Sequence, residues 1–538
     1  MSVRRRDLSK ALLVSLSALA PHARARAAAA CNEPCYPPTP AESINGVPPS
    51  DLSYPPGNVL RWGADPTGKS DSTRAIQNAV NVGWACGNYG SPWSGEGGAT
   101  PVILFPPGRY RVSGAVTVPT GVTLRGAAHP ANTTSHTRII MDSDDGSDNR
   151  NKPIFRFNRA TFKGSALMNS AVTSAIEDLE FWYVTIGGTF DRPLSEGIPF
   201  GAYPDGGALM FDVDAADTRI VNCVFQHAPA ALRIKGVPRA AGKRGDGWRG
   251  DRGVGFYVEN CEFDASCTHV YATDSELNLQ FKECHFFGAM HRYERCTGRV
   301  VYQSGRWHGG AWVDAAAVTN DLDRFTLKGA DVEIGAERFV ALDRARLIDI
   351  SQNSVLGGAS GQSWIEIADA DGGCIVSNAL NNSGYNASPG QTPAAFPAAI
   401  KLYGCRNLLV AANNLTATNR GAYDGFGILS ADGRRPASAN FINGNAVTAP
   451  YMGATYSGQD RFVNATRQDV LGINYSAHPS DAGILAHRLP VGALVLNSEA
   501  IAPGGGRRDA ILFVDAADGS LKVRFPDGTV RTLASSGA

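Results

Sequence analysis

The chain lacks three features that would identify a function at once. Its 50 Lys and Arg residues balance 50 Asp and Glu residues, so no excess of positive charge indicates nucleic acid as a partner. No stretch after residue 30 is apolar enough to span a membrane. The cysteines show no paired CxxC spacing with histidine partners, which argues against a cysteine zinc site. What remains is a chain of 538 residues whose 60 glycines suit many turns.

The first thirty residues have the pattern of an export signal. Arg5-Arg6-x-Leu8-x-Lys10 precedes an apolar run over 11–20 and an Ala-rich stretch to residue 30. This resembles a bacterial twin-arginine signal peptide, with a general secretory signal as the alternative. Either signal predicts a periplasmic or extracellular protein, in which disulfide bonds are allowed. Cys31 and Cys35 bracket a loop short enough for the two to pair.

A loose internal repeat begins near residue 175. Its unit is a short strand, a polar residue that is often Asn, and another short strand, as around Asn222, Asn260, Asn353 and Asn378. A repeat of roughly 22 to 25 residues is typical of a parallel β-helix, in which three strands make one coil. Asn suits such turns because it tolerates left-handed backbone and can hydrogen-bond to the Asn one coil away. We therefore predict an all-β, right-handed parallel β-helix.

The repeat and the composition divide the chain into four predicted parts. These are a signal peptide over 1–30, a Pro-rich lead-in over 31–58, the β-helix over 59–484, and a small β module over 485–538. Short apolar strands in the last part indicate self-association, surface attachment or binding rather than catalysis. A homo-oligomer formed through this module is one expectation. The cysteines at one repeat position are predicted to stack in the core in preference to forming disulfides: Cys223, Cys261 and Cys284.

Residues 57–126 contain the most specific sequence pattern. Asp71, Ser72 or Thr73 can cap a helix, and short strands closed by turns follow at 102–110 and 118–126. The apolar positions of the helix recur at helical spacing: Ala75, Ile76, Ala79 and Val80. The segments 63–77, 102–110 and 118–126 together resemble the entry segment of the pectate lyase superfamily, in its rhamnogalacturonase- and epimerase-like group. That resemblance implies a β-helix capped by the helix, with a polysaccharide as the leading substrate class.

In the superfamily that the chain resembles, the sheet that precedes the Asn-turn strand forms the substrate groove, together with its loops. Alternation of apolar residues predicts eight strands of that sheet: 209–212, 232–235, 269–273, 292–294, 312–314, 340–343, 364–367 and 400–403. Reading the outward positions puts four carboxylates on four successive coils, in one column: Glu294, Asp314, Asp343 and Glu366. Stacked carboxylates supply general acids and bases for glycoside hydrolysis, or oxygen ligands for Ca²⁺, although no cofactor is required.

Basic and aromatic residues flank this column and complete the predicted site. A base for a lyase reaction is drawn from Arg292, Tyr271 and His269. Aromatic faces stack on sugar rings, and basic groups bind uronates. The predicted substrate-binding residues are Arg233, Lys235, Trp248, Trp312, Trp364, Lys401 and Tyr403. A basic insertion over 237–254, which contains Trp248, and a loop over 185–206 are the candidate groove walls.

The sequence leaves three functions open. The first is a secreted enzyme that cleaves glycosidic bonds of a polysaccharide, acidic or neutral, as a hydrolase or a lyase. The second is a non-catalytic glycan-binding or surface-attachment β-helix, which predicts that the four carboxylates are scattered or paired with arginine. The third is a polysaccharide C5-epimerase, which would share the residues of the lyase but leave chain length unchanged.

Overall fold

The computed structural model describes two helices, one 3₁₀ turn and 44 strands. It covers the following residues: 36–88, 101–119, 121–128, 135–142, 149–158, 174–183, 205–212, 218–236, 255–264, 268–309, 312–317, 320–334, 339–357, 364–381, 398–416, 426–431, 434, 439–443, 445–448, 463–464, 470–471, 475–476, 486–489, 492–499, 511–515, 520–525 and 527–534. The predicted signal peptide, Trp248, Cys31, Cys35 and both candidate loop walls (185–206 and 237–254, apart from Asp205 and Gly206) lie outside these residues.

Two helices precede or cover the first coil. Helix α1 spans Pro40–Asn45, a 3₁₀ turn spans Val59–Trp62, and helix α2 spans Thr73–Asn88. Asp71 Oδ1 accepts from the backbone N–H of Thr73 at 3.0 Å, so it satisfies a donor at the start of α2. The predicted apolar face of α2 is buried: Ala75, Ile76, Ala79 and Val80. This helix packs against the 3₁₀ turn and strands of the first coil, which is the capping role predicted from sequence.

The strands that follow one another along the chain are short. The first part of the coil contains β1 Thr67–Asp71, β2 Val102–Leu104, β3 Gly108–Val112, β4 Val116–Pro119, β5 Thr123–Arg125, β6 Thr137–Met141, β7 Phe155–Asn158, β8 Ser174–Glu177, β9 Leu179–Tyr183, β10 Leu209–Phe211, β11 Thr218–Val221, β12 Val224–Gln226, β13 Ala230–Lys235, β14 Gly255–Glu259 and β15 Glu262–Asp264. The middle part contains β16 Thr268–Thr273, β17 Glu276–Lys282, β18 His285–Phe287, β19 Met290–Glu294, β20 Thr297–Gln303, β21 Arg306–His308, β22 Trp312–Ala315, β23 Asp321–Lys328, β24 Asp331–Ile334, β25 Val340–Asp343, β26 Ala345–Ser351, β27 Ser354–Gly357, β28 Ile365–Ala368, β29 Asp371–Val376 and β30 Ala379–Asn381. The last part contains β31 Ala398–Tyr403, β32 Arg406–Ala411, β33 Asn414–Thr416, β34 Phe426–Ala431, β35 Phe441–Asn443, β36 Ala446–Thr448, β37 Val463–Asn464, β38 Val470–Leu471, β39 Tyr475–Ser476, β40 Ala486–Leu489, β41 Gly492–Glu499, β42 Ile511–Asp515, β43 Leu521–Arg524 and β44 Val530–Ala534.

Strands β1 to β39 form three parallel sheets of fourteen, twelve and thirteen strands. In each full coil the chain passes from the twelve-stranded sheet to the thirteen-stranded sheet, then to the fourteen-stranded sheet, and pairs with the coil before it. Every third strand therefore returns to the same sheet, which is the topology of the predicted right-handed parallel β-helix. All eight strands predicted for the groove lie in the twelve-stranded sheet. The groove sheet thus precedes the strand that leads into the Asn turn.

The interior of the β-helix is a continuous stack of apolar side chains. Because the register is preserved from coil to coil, equivalent side chains stand above one another. Phe181, Phe225, Phe263 and Phe286 form one such stack, with ring centroids 5.2, 4.9 and 5.0 Å apart. Cys223, Cys261 and Cys284 are buried free thiols at one turn position, as predicted for core residues.

Asparagines continue the same turn column in the later coils. Asn353, Asn378, Asn413 and Asn445 are almost completely buried. Each of the first three side-chain amides donates to the next amide oxygen, at 2.9, 2.9 and 2.8 Å. Each amide also donates to a backbone carbonyl of the preceding coil. The ladder therefore satisfies buried backbone groups where the chain leaves the thirteen-stranded sheet.

Replacing Asn378 by Ala is expected to destabilise the coil by about 3 kcal/mol, because it leaves several buried groups without partners. Asn378 donates to Ile350 O and Asn413 Oδ1, and it accepts from the backbone and side chain of Asn353. Urea unfolding followed by circular dichroism measures the effect. Asn381→Ala, at a half-buried position of β30, is the matched control and should change stability by less than about 0.5 kcal/mol. Equal effects of the two substitutions would contradict the ladder's role.

The C-terminal strands form a separate arrangement. Strands β40 to β44 make a five-stranded sheet in which all pairs except β41 with β42 are antiparallel. This sheet lies within the part predicted as a β module, and its proposed role in self-association stays a prediction. Among the described residues, no helix is long and apolar enough to cross a membrane.

Candidate functional site

The candidate site is the outward face of the twelve-stranded sheet. Strand pairing aligns one column of side chains across seven successive strands: Arg233, Tyr271, Arg292, Asp314, Ala341, Glu366 and Lys401. A second column, two residues further along each strand, contains Lys235, Thr273 and Glu294 in the earlier coils and Asp343, Ala368 and Tyr403 in the later ones. The site therefore combines acidic, basic and aromatic groups on one surface.

The four predicted carboxylates do lie on successive strands, but the prediction of a single column is wrong. Asp314 pairs with Ala341, which pairs with Glu366. Glu294 and Asp343 occupy the other column, since each lies two residues beyond a member of the first. The carboxylates thus zigzag along the sheet, and Asp314 and Glu366 face each other across the small side chain of Ala341.

Arg292 holds two of these carboxylates. Its Nε lies 3.0 Å from Glu294 Oε1, and its Nη1 donates to Asp314 Oδ2. All three side chains are largely buried, with 14%, 12% and 8% of the Arg292, Glu294 and Asp314 side chains exposed. Asp314 Oδ1 also accepts from the backbone N–H groups of Ala316 and Ala317 at 3.2 Å. One guanidinium group and two backbone N–H groups therefore hold the Asp314 carboxylate in place.

Tyr271 lies between two arginines in the first column. The Arg233 guanidinium is 3.9 Å from the centre of the Tyr271 ring, and Arg233 Nη1 donates to Tyr271 O at 3.0 Å. The Tyr271 hydroxyl is 3.4 Å from Glu294 Oε2. Burial and the Glu294 charge raise the pKa of Tyr271, while Arg233 opposes the shift. Arg233 is itself only 4% exposed. It is therefore better placed to hold Tyr271 than to contact a ligand.

Glu366, Lys401 and Tyr403 form the other end of the site. Glu366 is directly opposite Lys401 on the neighbouring strand, and Lys401 Nζ lies 4.8 Å from the centre of the Tyr403 ring. Burial, with a contribution from the Glu366 charge, raises the pKa of Tyr403 to about 12. Tyr403 therefore stays a neutral phenol that can donate a hydrogen bond.

Sequence reasoning missed Asp369 and Arg434. Arg434 Nη2 lies 3.0 Å from Asp343 Oδ2, and its Nη1 lies 3.6 Å from Asp369 Oδ2. Both carboxylates are buried, whereas 53% of the Arg434 side chain is exposed. Asp369 has a positive φ of 52° in the turn that leaves the twelve-stranded sheet. The tight turn at this sheet edge is the sequence feature that could have indicated Asp369. No local pattern could have paired Arg434 with Asp343, because 91 residues separate them.

The structure moves two predicted residues away from the surface. His269 is fully buried; its Nε2 contacts Phe287 O at 3.0 Å and its Nδ1 contacts His291 Nε2 at 3.4 Å. Burial lowers the pKa of His269 to about 3. A base on the groove must reach the substrate, so this position corrects the prediction for His269. Trp364 is 2% exposed and packs in the core, which removes it from the stacking surface.

The remaining predicted contacts are accessible. Trp312 is half-buried at the start of β22, and Lys235 pairs with Asp205 at 3.0 Å with about half of each side chain exposed. In the part of the chain that the structure describes, no group of three or more His, Cys, Asp or Glu side chains is placed to hold a metal ion. Calcium binding by the carboxylates stays a prediction.

Comparisons with known proteins show what the chain is similar to. Residues 57–174 match the family model described as "Rhamnogalacturonase A/epimerase, pectate lyase-like". No curated protein sequence matches the chain. Similar solved structures include the mannuronan C-5 epimerase AlgE6 A-module of Azotobacter vinelandii (15% identity, 78% of this chain and 99% of that chain covered, TM-score 0.42). A second is tailspike protein 3 of bacteriophage CBA120 (11% identity, 89% of this chain and 69% of that chain covered, TM-score 0.38). A third is the DFA-IIIase of Arthrobacter chlorophenolicus A6 without its lid (11% identity, 80% of this chain and 94% of that chain covered, TM-score 0.39).

The sequence match covers the capping helix and the first coils, which is where the sequence alone showed its most specific pattern. The three parallel sheets extend the same architecture over the later repeats. Together, these findings show a right-handed parallel β-helix whose residues 57–174 are similar to the pectate lyase-like family.

Proposed function

We propose that the outward face of the twelve-stranded sheet binds a polysaccharide and hydrolyses its glycosidic bonds with inversion. The observation that carries this proposal is the placement of Asp314 and Glu366 on either side of Ala341. Two strand spacings put their backbones about 10 Å apart. Inverting glycosidases place their two carboxyl groups about 6.5–9.5 Å apart to leave room for water, a range that these side chains can span.

The surroundings of the two carboxylates suggest their roles. Arg292 and two backbone N–H groups hold the Asp314 carboxylate in place, and we assign it as the base that takes a proton from the attacking water. Glu366 then acts as the acid and gives its proton to the departing glycosidic oxygen. Water adds to the anomeric carbon as the glycosidic bond breaks, so one proton enters and one leaves the site in each turnover.

The rest of the face provides contacts along a polymer. Tyr271 and Trp312 are half-buried aromatics that can stack on sugar rings. Lys235 and Arg156 have about half of their side chains exposed and can bind hydroxyls or uronates. The family match over 57–174, whose description names a rhamnogalacturonase and an epimerase, supports a carbohydrate polymer as the substrate class. Export through the N-terminal signal belongs to the same proposal.

A lyase or epimerase is less well supported by these contacts. Both reactions need a base at C5 and a cation for the uronate. His269 is inside the coil, Tyr271 has a raised pKa, and Arg292 is already shared by two carboxylates. The same ion pairs favour a second candidate, a non-catalytic glycan-binding protein, because Glu294, Asp314 and Asp343 are all paired with arginine.

A polysaccharide screen tests the proposal against its alternatives. Purified protein is incubated with neutral and uronic-acid polysaccharides while reducing ends and the ultraviolet absorbance of unsaturated uronides are followed. Hydrolysis predicts new reducing ends without new absorbance. New absorbance would assign a lyase instead, and glycan binding with neither signal would favour the non-catalytic protein.

A further inference from the structure

A cavity of about 460 Å³ lies at the edge where the twelve-stranded sheet turns into the thirteen-stranded sheet. Its volume falls within the range of about 300–1,000 Å³ that is typical of small-molecule sites. Its charged lining residues are Asp321, Arg344, Arg346, Asp369, Asp371 and Arg434. All but Arg434 lie in β23, β26 and β29 or in the turns that lead into β26 and β29, so three adjacent coils build the cavity.

The lining charges are balanced. Three carboxylates stand among three guanidinium groups, and Arg346 Nη2 lies 3.4 Å from Asp321 Oδ2. Asp371 Oδ1 accepts from Asn407 Nδ2 at 2.9 Å. Hydrogen-bond donors and acceptors therefore both line the cavity, and neither sign of charge is in excess.

A buried carboxylate oxygen beside the cavity lacks a hydrogen-bond donor in the part of the chain that the structure describes. Asp343 is 3% exposed, and within the described residues its Oδ1 receives no hydrogen bond. Its Oδ2 is held by Arg434, which also lines the cavity and has about half of its side chain exposed. A buried carboxylate oxygen without a donor is costly. A ligand hydroxyl that replaces part of the Arg434 contact would supply one.

We propose that this cavity is a lateral subsite for a neutral sugar unit, carried as a branch of a polymer that lies on the twelve-stranded sheet. Each sugar hydroxyl both donates and accepts, so a neutral sugar matches a lining that contains both carboxylates and guanidinium groups. The subsite rests on the proposed function, because the polymer bound to the twelve-stranded sheet is what brings the branch to the cavity.

Charged sugars fit this cavity less well. A uronate would place its carboxylate close to the buried Asp343 and Asp369, and like charges at short range repel. An amino sugar would meet the Arg344, Arg346 and Arg434 guanidinium groups. The groove itself, with its exposed Lys235 and Arg156, carries no such restriction. The two surfaces therefore select different parts of one substrate.

Binding to an array of neutral and uronic-acid oligosaccharides tests the subsite. We expect wild-type protein to bind neutral glycans, and Arg434→Met and Asp371→Asn each to bind them about tenfold more weakly. Asp371→Asn removes a charge from an exposed position, so it keeps the test valid if loss of Arg434 unfolds the edge. Arg219→Met, several coils away on the thirteen-stranded sheet, is the matched control and should bind as wild type.

The outcomes separate the subsite from the proposed function. Binding restricted to acidic glycans, neutral binding that both variants retain, or no glycan binding at all would overturn the subsite. Reducing-end release from a polysaccharide panel is measured in parallel. Cleavage without selective neutral binding leaves the hydrolase standing and rejects the subsite. Neutral binding lost in both variants, without cleavage by wild type, supports the subsite and rejects the hydrolase.

Discussion

Glu366→Gln and Asp314→Asn are each expected to reduce polysaccharide hydrolysis by about a thousandfold. General acid or base catalysis typically contributes about 10² to 10⁴ in rate, and an amide neither donates nor accepts the proton that each step requires. Both changes keep nearly the same side-chain volume. Initial rates of reducing-end release measure the loss, and glycan binding in the same variants should stay near that of wild type.

The matched control for these substitutions is Glu333→Gln. Glu333 is on the fourteen-stranded sheet, where 73% of its side chain is exposed, so its rate should equal that of wild type. If Glu366→Gln cleaves at the wild-type rate while folded, Glu366 is not the acid and the column across Ala341 is not the catalytic pair. A loss of both binding and rate would instead assign the residue to substrate binding.

Acidification from pH 7 to pH 4 is expected to destabilise the β-helix strongly. The reason is that two neutral histidines in its core form a continuous hydrogen-bonded chain. Phe287 O can only accept, so His269 Nε2 carries a proton and its Nδ1 accepts from His291 Nε2–H. His291 Nδ1 then accepts from the Tyr302 hydroxyl at 3.0 Å, and Tyr302 accepts from Tyr293. Every proton in this chain points the same way, so no site is left for a second proton on either ring.

The sign of the effect follows from proton binding. Burial lowers the pKa of His269 from 6.5 to about 3 and that of His291 well below 6.5. The unfolded chain therefore binds more protons between these values, and stability falls as the pH drops through 6.5 towards 3. For His269 alone the loss from pH 7 to pH 4 is on the order of 3 kcal/mol.

Urea unfolding at pH 7, 5.5 and 4 measures this dependence. His269→Phe places a ring of similar size among Phe263, Phe286 and His291, and it should flatten the pH dependence although it lowers stability at pH 7. His308→Gln, at a half-buried site on the outside of the coil, should keep the wild-type slope. A slope that His269→Phe leaves unchanged would show that other groups control acid unfolding.

The sequence predicted the fold and the groove sheet because both depend on local patterns. Helix capping at Asp71, the alternation of apolar residues, and asparagine at the turns each act over a few residues. They were sufficient to place all eight groove strands in one sheet. The same patterns could not fix the register, since a shift of two residues keeps every side chain on its face. That is why the carboxylates fell into two columns instead of one.

His269 shows a second limit of pattern reading. Strict alternation puts His269 and Tyr271 on the same outward face, but the pairing of β16 with β19 shifts between Thr268 and Val270. Such a bulge changes the phase of a strand, so residues before and after it face opposite sides. Nothing in the local sequence marks it. Arg434 was missed for another reason, because its ion pairs join residues that only the coil brings together.

The proposed mechanism makes Asp314 and Glu366 an inverting pair on the twelve-stranded sheet. The most direct test is the anomeric configuration of the first product, followed by proton NMR during cleavage of a substrate of known linkage. Hydrolysis with inversion predicts that the new reducing end first appears as the anomer opposite to that of the cleaved bond, and then mutarotates. A product that retains the original configuration, or one with an unsaturated ring, would contradict it.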